Sequence, residues 1–319
     1  MRRIAIVTMA ALLMSSAARL DLPQARDLGW REYLDNPRAL PPPPDMAVYF
    51  GKHAAALDAV RAQLLSGEKI TWPEIVNFNE LLLLTRILAA HAVSHRDWRD
   101  LEAAWRLMRP LWDRPDSLSC IVALSGMRVI NGAARKMPPP APAWFAEILT
   151  FDVRRGMLRG QLAELMTIRR AAEDAARARE SKLDPIGWLR EPYDLAVARN
   201  FEAVMRGAAI NAARSDRCAV DVRLFARDVG DALPWWNRPG FVAAPNLGAM
   251  WERVGRFRAE REQTAKRFNL KTERCSDATR PSSAASRHLL PARRGEGSGA
   301  RPLAPQRGER VAEGRVRGD

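Results

Sequence analysis

No G-x-S-x-G elbow, C-x-x-C pair, H-E-x-x-H helix or phosphate loop occurs in the 319 residues. The sequence therefore carries no local signature of a serine hydrolase, a dithiol oxidoreductase, a zinc protease or a nucleotidase. Histidine is scarce: His53, His91, His95 and His288 are the four, which leaves few general bases near neutral pH. Lysine is rarer than the basic charge suggests, six among 51 basic residues. Such an arginine excess follows from GC-rich coding as readily as from selection for phosphate forks, so it does not by itself indicate nucleic acid. Period-two alternation of apolar and polar residues is missing over any length that would make a sheet.

Cysteine is limited to Cys120, Cys218 and Cys275. Cys120 lies in the apolar run "SLSCIVAL" and reads as a small core residue. An oxidising compartment permits one disulfide and leaves one thiol over. Cys218 with Cys275 is such a pair, but neither neighbourhood resembles a disulfide scaffold, and the reading favours unpaired cysteines.

What is present begins with a leader. Met1-Arg2-Arg3 is a basic start, Ile4 to Met14 an apolar stretch, and Ser16-Ala17-Ala18 supplies the small residues of a cleavage site. Residues 1–18 are thus expected to be an export signal, with an uncleaved N-terminal anchor as the second choice, since the stretch is shorter than the roughly 20 residues that span a bilayer. The expected location is the periplasm, free or anchored at the inner membrane. Residues 19–46 contain four consecutive prolines, 41–44, and are expected to form an extended arm along the outside of the fold.

Residues 47–274 read as one helical domain with sub-blocks 47–137 and 144–274. Ala47 to Gly67 has helical apolar spacing. Thr71-Trp72-Pro73-Glu74 is a capping box that predicts a helix start. Asp97 is expected to cap the next helix, whose Leu101, Trp105, Met108 and Trp112 share a stripe. "SLSCIVALSGMRVINGAARKM" is apolar nearly all round, which predicts a central helix approached closely at Gly126 and Gly132. From Trp144 one long helix is expected, with Ile148, Leu158, Leu162, Leu165 and Ile168 inward. Helices through "EPYDLAVARNFEAVMRGAAINAARS" and "AVDVRLFARDVGDAL" follow, and a last one from Ala249 to about Phe268. The fold class is all-α: an irregular bundle of antiparallel αα-hairpins.

"LLLTRILAAHAVSHRDWRDLEAAWRLMRPL" resembles a tetratricopeptide hairpin, although the period does not repeat downstream. With its "NP" and "PPPPD" arm before the first helix, the body over roughly residues 30–200 resembles uncharacterised exported all-helical proteins of high-GC Gram-negative bacteria. That resemblance implies no activity.

From Ser276 to Asp319, Gly, Pro, Ser and Arg replace apolar periodicity, so residues 275–319 are expected to be a disordered tail. The "GEGSGARPLAPQRGER" pattern resembles a translated intergenic repeat, which implies a frameshift or read-through near Cys275. An ordinary basic arm is the other reading. Gly295, Gly297 and Gly299 follow no strand and make no phosphate loop. Nine Arg against five acids in this tail, with Arg2 and Arg3, account for six of the fourteen net positive charges. The rest is spread over the body and forms no basic stripe, so nucleic acid is not an expected partner.

Two constellations remain as candidates. His91 and His95 stand one helical turn apart, a spacing able to hold one Zn²⁺, but position 92 is Ala where a zinc protease has Glu. The bland alternative is a pair of C-terminal helix histidines beside Trp98. Trp235 and Trp236 sit in a Pro- and Gly-bounded loop, as a plug over the core, as an anchor for a ligand or partner, or as an interfacial contact with the bilayer near the leader. The functional expectation is a non-enzymatic exported protein that binds another protein or a cell-envelope component, with no cofactor, and with membrane contact only through an uncleaved leader. The alternative is a hydrolase whose site is unrecognisable from sequence, metal-dependent through His91 and His95.

Overall fold

In the computed structural model, residues 20–36, 40–68, 70, 76–180, 187–237, 244–273 and 275 are described. The leader 1–18, the Thr71–Glu74 capping box, and the tail beyond Cys275 with its glycines lie outside them. Among the described residues there are eleven α-helices and no strand. In order they are α1 (Leu22–Arg26), α2 (Trp30–Asp35), α3 (Pro44–Leu65), α4 (Phe78–His95), α5 (Trp98–Met108), α6 (Ser117–Ala134), α7 (Phe145–Thr150), α8 (Val153–Glu180), α9 (Gly187–Arg214), α10 (Val222–Ala232) and α11 (Ala244–Phe268).

Short acidic and amide side chains start these helices by satisfying first-turn N–H groups that have no helical partner. Asn77 accepts from the Glu80 N–H at α4, Asp97 from Arg99 at α5, Asp116 from Ser119 at α6, and Asp221 from Arg223 and Leu224 at α10. Asp97 thus acts as expected. The helix predicted from Thr71 starts later, because Val76 and Asn77 are not helical and Asn77 is the cap. Arg96 adopts the left-handed conformation at φ 56° and turns α4 into α5, and the two pack together.

The central helix is α6. Cys120, Ala123, Met127, Ile130 and Ala133 are wholly buried, and α4, α5, α8 and α11 pack around it. It is long and apolar enough to cross a membrane, but 67% of it is buried inside the protein, which makes it a core helix. A Cβ at Gly126 would lie 2.5 Å from the Met108 side chain, as expected of a close approach. Gly132 meets only the Arg135 side chain, at 3.9 Å, so only one of the two glycines is a contact point.

The arm is not an outer spacer. Leu20, Ala25, Trp30, Tyr33 and Leu34 are buried, and α1 and α2 pack on α4. Trp30 Nε1 donates to the Ala25 carbonyl at 2.6 Å and Tyr49 Oη to the Leu20 carbonyl. Lys136 Nζ donates to the carbonyls of Tyr33 and Leu34 at 2.9 and 2.7 Å. The proline run ends by starting α3 with Pro44, since proline needs no N–H donor in a first helical turn.

The long helix expected from Trp144 is two helices, α7 and α8, separated at Phe151 and Asp152. Ile148 and Leu165 are buried, and Leu158 and Leu162 half-buried. Ile168 is 48% exposed: α8 has run past the core by then, and Arg169 there bonds Glu173 on the same helix and Glu202 of α9.

Most buried residues, from Leu20 to Ala265, form one core that joins Trp105 and Trp112 to Phe145, Trp251 and Phe257. A smaller cluster of Leu165, Met205, Val229 and Leu233 joins α8, α9 and α10. The chain then closes on itself. After α11, Glu273 pairs with Arg154, Arg258 and Arg261, and Cys275 forms a disulfide with Cys218, their Cα atoms 5.4 Å apart. That corrects the expectation of unpaired cysteines: the pairing is made by packing across 57 residues, which local sequence does not show. Cys120 alone is free and buried.

Candidate functional site

His91 and His95 do come together, in the last turns of α4, with Phe50 of α3 edge-on to both rings at 5.0 and 6.0 Å. They do not pack beside Trp98. The turn at Arg96 carries that ring away, to Trp144, Phe145 and Phe268. His91 Nδ1 is 2.7 Å from Asp100 Oδ2, and Asp100 is wholly buried. Arg61 donates to the other Asp100 oxygen at 3.1 Å and also bonds Asp58 and Asp97. His95 Nδ1 donates to the His91 carbonyl at 3.1 Å.

This frame fixes one imidazole by its Nδ1 on a buried carboxylate, an arrangement that serves proton transfer when a substrate can reach the ring. It does not suit a shared metal. Imidazole nitrogens bind along the ring plane, whereas these rings stack at 4.0 Å with 27° between planes. Among the described residues no three ligating side chains gather.

Asp100 is the residue that sequence reading missed. It stands in the polar run "HRDWRDLE", and its burial depends on Arg61, 39 positions upstream. Asp100→Ala is expected to cost about 1–3 kcal/mol, because His91 loses its buried partner while Arg61 keeps Asp58 and Asp97. Urea denaturation of both proteins checks this.

The Trp235 corner is built differently. Leu233 is buried at the end of α10, and Asn237, also buried, donates from Nδ2 to the Val197 carbonyl at 3.0 Å and to Asn200 Oδ1 at 2.9 Å. Tyr193 Oη donates to the Trp236 carbonyl at 2.6 Å, and the two rings meet edge-on at 6.4 Å. The corner is therefore pinned to α9 on both sides of Trp236. Trp235 itself is 80% exposed, which rules out the plug. A side chain of that size plugging a core would be buried; here the core is closed by Leu233 and Asn237, and Trp235 points into solvent.

A third feature follows from the arm's true position. Between the α1–α2 turn and α4 lies an open cleft of about 640 Å³, lined by Arg26, Trp30, Asn79, Leu82 and Arg86 among others. Arg26 reaches Glu80 at 3.8 Å. Cys120 offers no reactive thiol: burial first, then the charge of Asp116, pushes its pKa up to about 12, so it stays protonated in the core.

Fold and sites together define an all-α protein clasped by one disulfide, with an oriented histidine on one face and an exposed tryptophan corner on another. No protein-family model matches the chain, and no curated protein or solved structure matches it either.

Proposed function

We propose that this is an exported, non-enzymatic helical protein that binds another protein of the cell envelope through the Trp235 corner. One observation carries the reading: a tryptophan 80% exposed on a corner that Tyr193, Val197 and Asn200 of α9 hold in place. Tryptophan is a dominant anchor at protein interfaces, and a pinned one loses little freedom on binding. Export is supported by the basic and apolar leader and by the Cys218–Cys275 bond, since structural disulfides persist in oxidising compartments.

The test is crosslinking in intact cells from a photoreactive residue at position 235, with position 48 on α3 as control, where Val48 is 69% exposed. A discrete adduct from 235 and none from 48 is expected. Trp235→Ala should weaken the captured complex by about 30-fold or more, the range of an interface hot spot. Identical adducts from both positions would sink the reading. A periplasm-dependent reporter fused after Phe50 should be active; an inactive fusion removes export.

A further inference from the structure

The segment after α11 is held at a few points only. Leu270 N–H donates to the Ala265 carbonyl at 2.9 Å, and its side chain packs on the core. Thr272 Oγ1 donates to the Leu149 carbonyl at 2.8 Å. Glu273 Oε1 takes Arg154 and Arg258, and Oε2 takes Arg261 at 3.3 Å. Past Leu270, the contacts found among the described residues are side-chain contacts and the bond from Cys275 to Cys218. Both cysteines are half-buried, and neither is sealed in the core.

The arginines under this segment are poorly served. Arg258 and Arg261 are 2% and 0% exposed, and the Nε–H of each is buried with no hydrogen-bond partner. Glu273 alone faces all three guanidinium groups, and Asp216 adds a second carboxylate for Arg154 at 3.4 Å. Burial pulls the Arg261 pKa down to about 10 against the opposing pull of Glu273. Desolvating two cations offsets most of the Coulomb attraction for Glu273, so the net hold of this cluster is small although its parts are close. The covalent bond then decides where the segment lies, because it keeps Glu273 at high effective concentration over the arginines.

We propose that Asn269–Glu273, tied down through Cys275, is a redox-released strap, an internal acidic peptide seated on the Arg154, Arg258 and Arg261 triad, which an acidic peptide of a partner takes when the Cys218–Cys275 bond is reduced. The reductant is a dithiol. Its thiolate attacks one sulfur, the protein disulfide breaks, the dithiol closes to its own disulfide, and its two protons pass to Cys218 and Cys275 as thiols. Lifting the strap lets water reach the arginines, which is why they tolerate losing Glu273. The occupant seen here defines the ligand class: an extended segment with an apolar residue three positions before a carboxylate, as Leu270 stands to Glu273.

The experiment is amide hydrogen exchange on the full chain, oxidised and after treatment with dithiothreitol. Exchange of the Leu270 amide, which donates to the Ala265 carbonyl, is expected to rise at least 100-fold on reduction while α4 and α6 keep their protection. Reduced protein should then bind the synthetic peptide acetyl-Leu-Lys-Thr-Glu-amide, measured by calorimetry, and oxidised protein should not. A Cys218→Ser, Cys275→Ser chain should match the reduced protein in both respects. Three results each overturn the proposal: a strap that stays protected on reduction, protection lost across the whole molecule together, or an open strap with no peptide bound.

Discussion

Glu273→Gln in the oxidised chain is expected to lower stability by about 3–5 kcal/mol, the cost of removing one partner from a buried ion pair. The amide keeps the shape of the carboxylate and removes its charge. Arg258 and Arg261 would then be buried cations left with the carbonyls of Ser215, Arg217 and Phe151 and the more distant charges of Asp152 and Asp216. With the disulfide closed, the segment cannot lift far enough to hydrate them. The midpoint of urea unfolding should fall while the slope stays constant, as for a change in the native state alone. Adding Arg261→Met should restore part of the loss, since one buried cation fewer then lacks a partner. If the double variant is no better than the single, the damage is to the strap's packing and not to charge. The same Glu273→Gln substitution should cost less in the reduced chain, where a freed strap lets solvent take the place of the carboxylate.

The parts legible in the sequence are those fixed within a turn or two of helix. Asp97 stands where a cap was readable, and the apolar run around Cys120 announced a central helix. The stripe of Leu101, Trp105, Met108 and Trp112 is buried as its spacing implied. The arm was misread although its own spacing was informative. Trp30, Tyr33 and Leu34 are three and one residues apart, the pattern of a helix face, but the adjacent prolines suggested an extended chain. Those prolines lie mostly before α3, and the last of them opens it.

The groups that matter most for the candidate sites were invisible for another reason. Glu273 sits at the edge of a charged, low-complexity tail, and Arg258 and Arg261 alternate with Arg256, Glu260 and Glu262 in what reads as a solvated helix face. Nothing local marks which of these charges is buried. Their meaning comes from Arg154 on α8, 119 residues from Glu273, and from a disulfide spanning 57. Asn237 and Tyr193, which pin the tryptophan corner, are likewise ordinary polar residues until α9 is placed beside them.

Gly255 connects that closure to helix packing, and Gly255→Ala is expected to be among the most damaging single changes in the molecule. A Cβ at this position in α11 would lie 1.8 Å from the Cys218 carbonyl oxygen and 2.8 Å from its carbonyl carbon. Both are backbone atoms, so no side-chain rotation relieves the overlap; the 215–218 segment or α11 must move. Such a shift also strains the hydrogen bond from Arg258 to the Arg217 carbonyl at 3.2 Å. It pulls Cys218 from Cys275, whose Cα separation of 5.4 Å already lies in the middle of the range a disulfide tolerates. Overpacking of this kind typically costs about 1–3 kcal/mol, and losing the disulfide about 2–4 more. Thiol titration of the denatured protein should find molecules with three free cysteines where the parent has one. Gly207 is the control. It lies in the interior of α9 with nothing within 4 Å of a Cβ, and there Gly→Ala should raise stability by about 0.5–1 kcal/mol through the lower entropy of the unfolded chain. If Gly255→Ala behaves like Gly207→Ala, with one free thiol and stability no lower than the parent's, the close approach of Cys218 to α11 is wrong, and the seating of the strap is wrong with it.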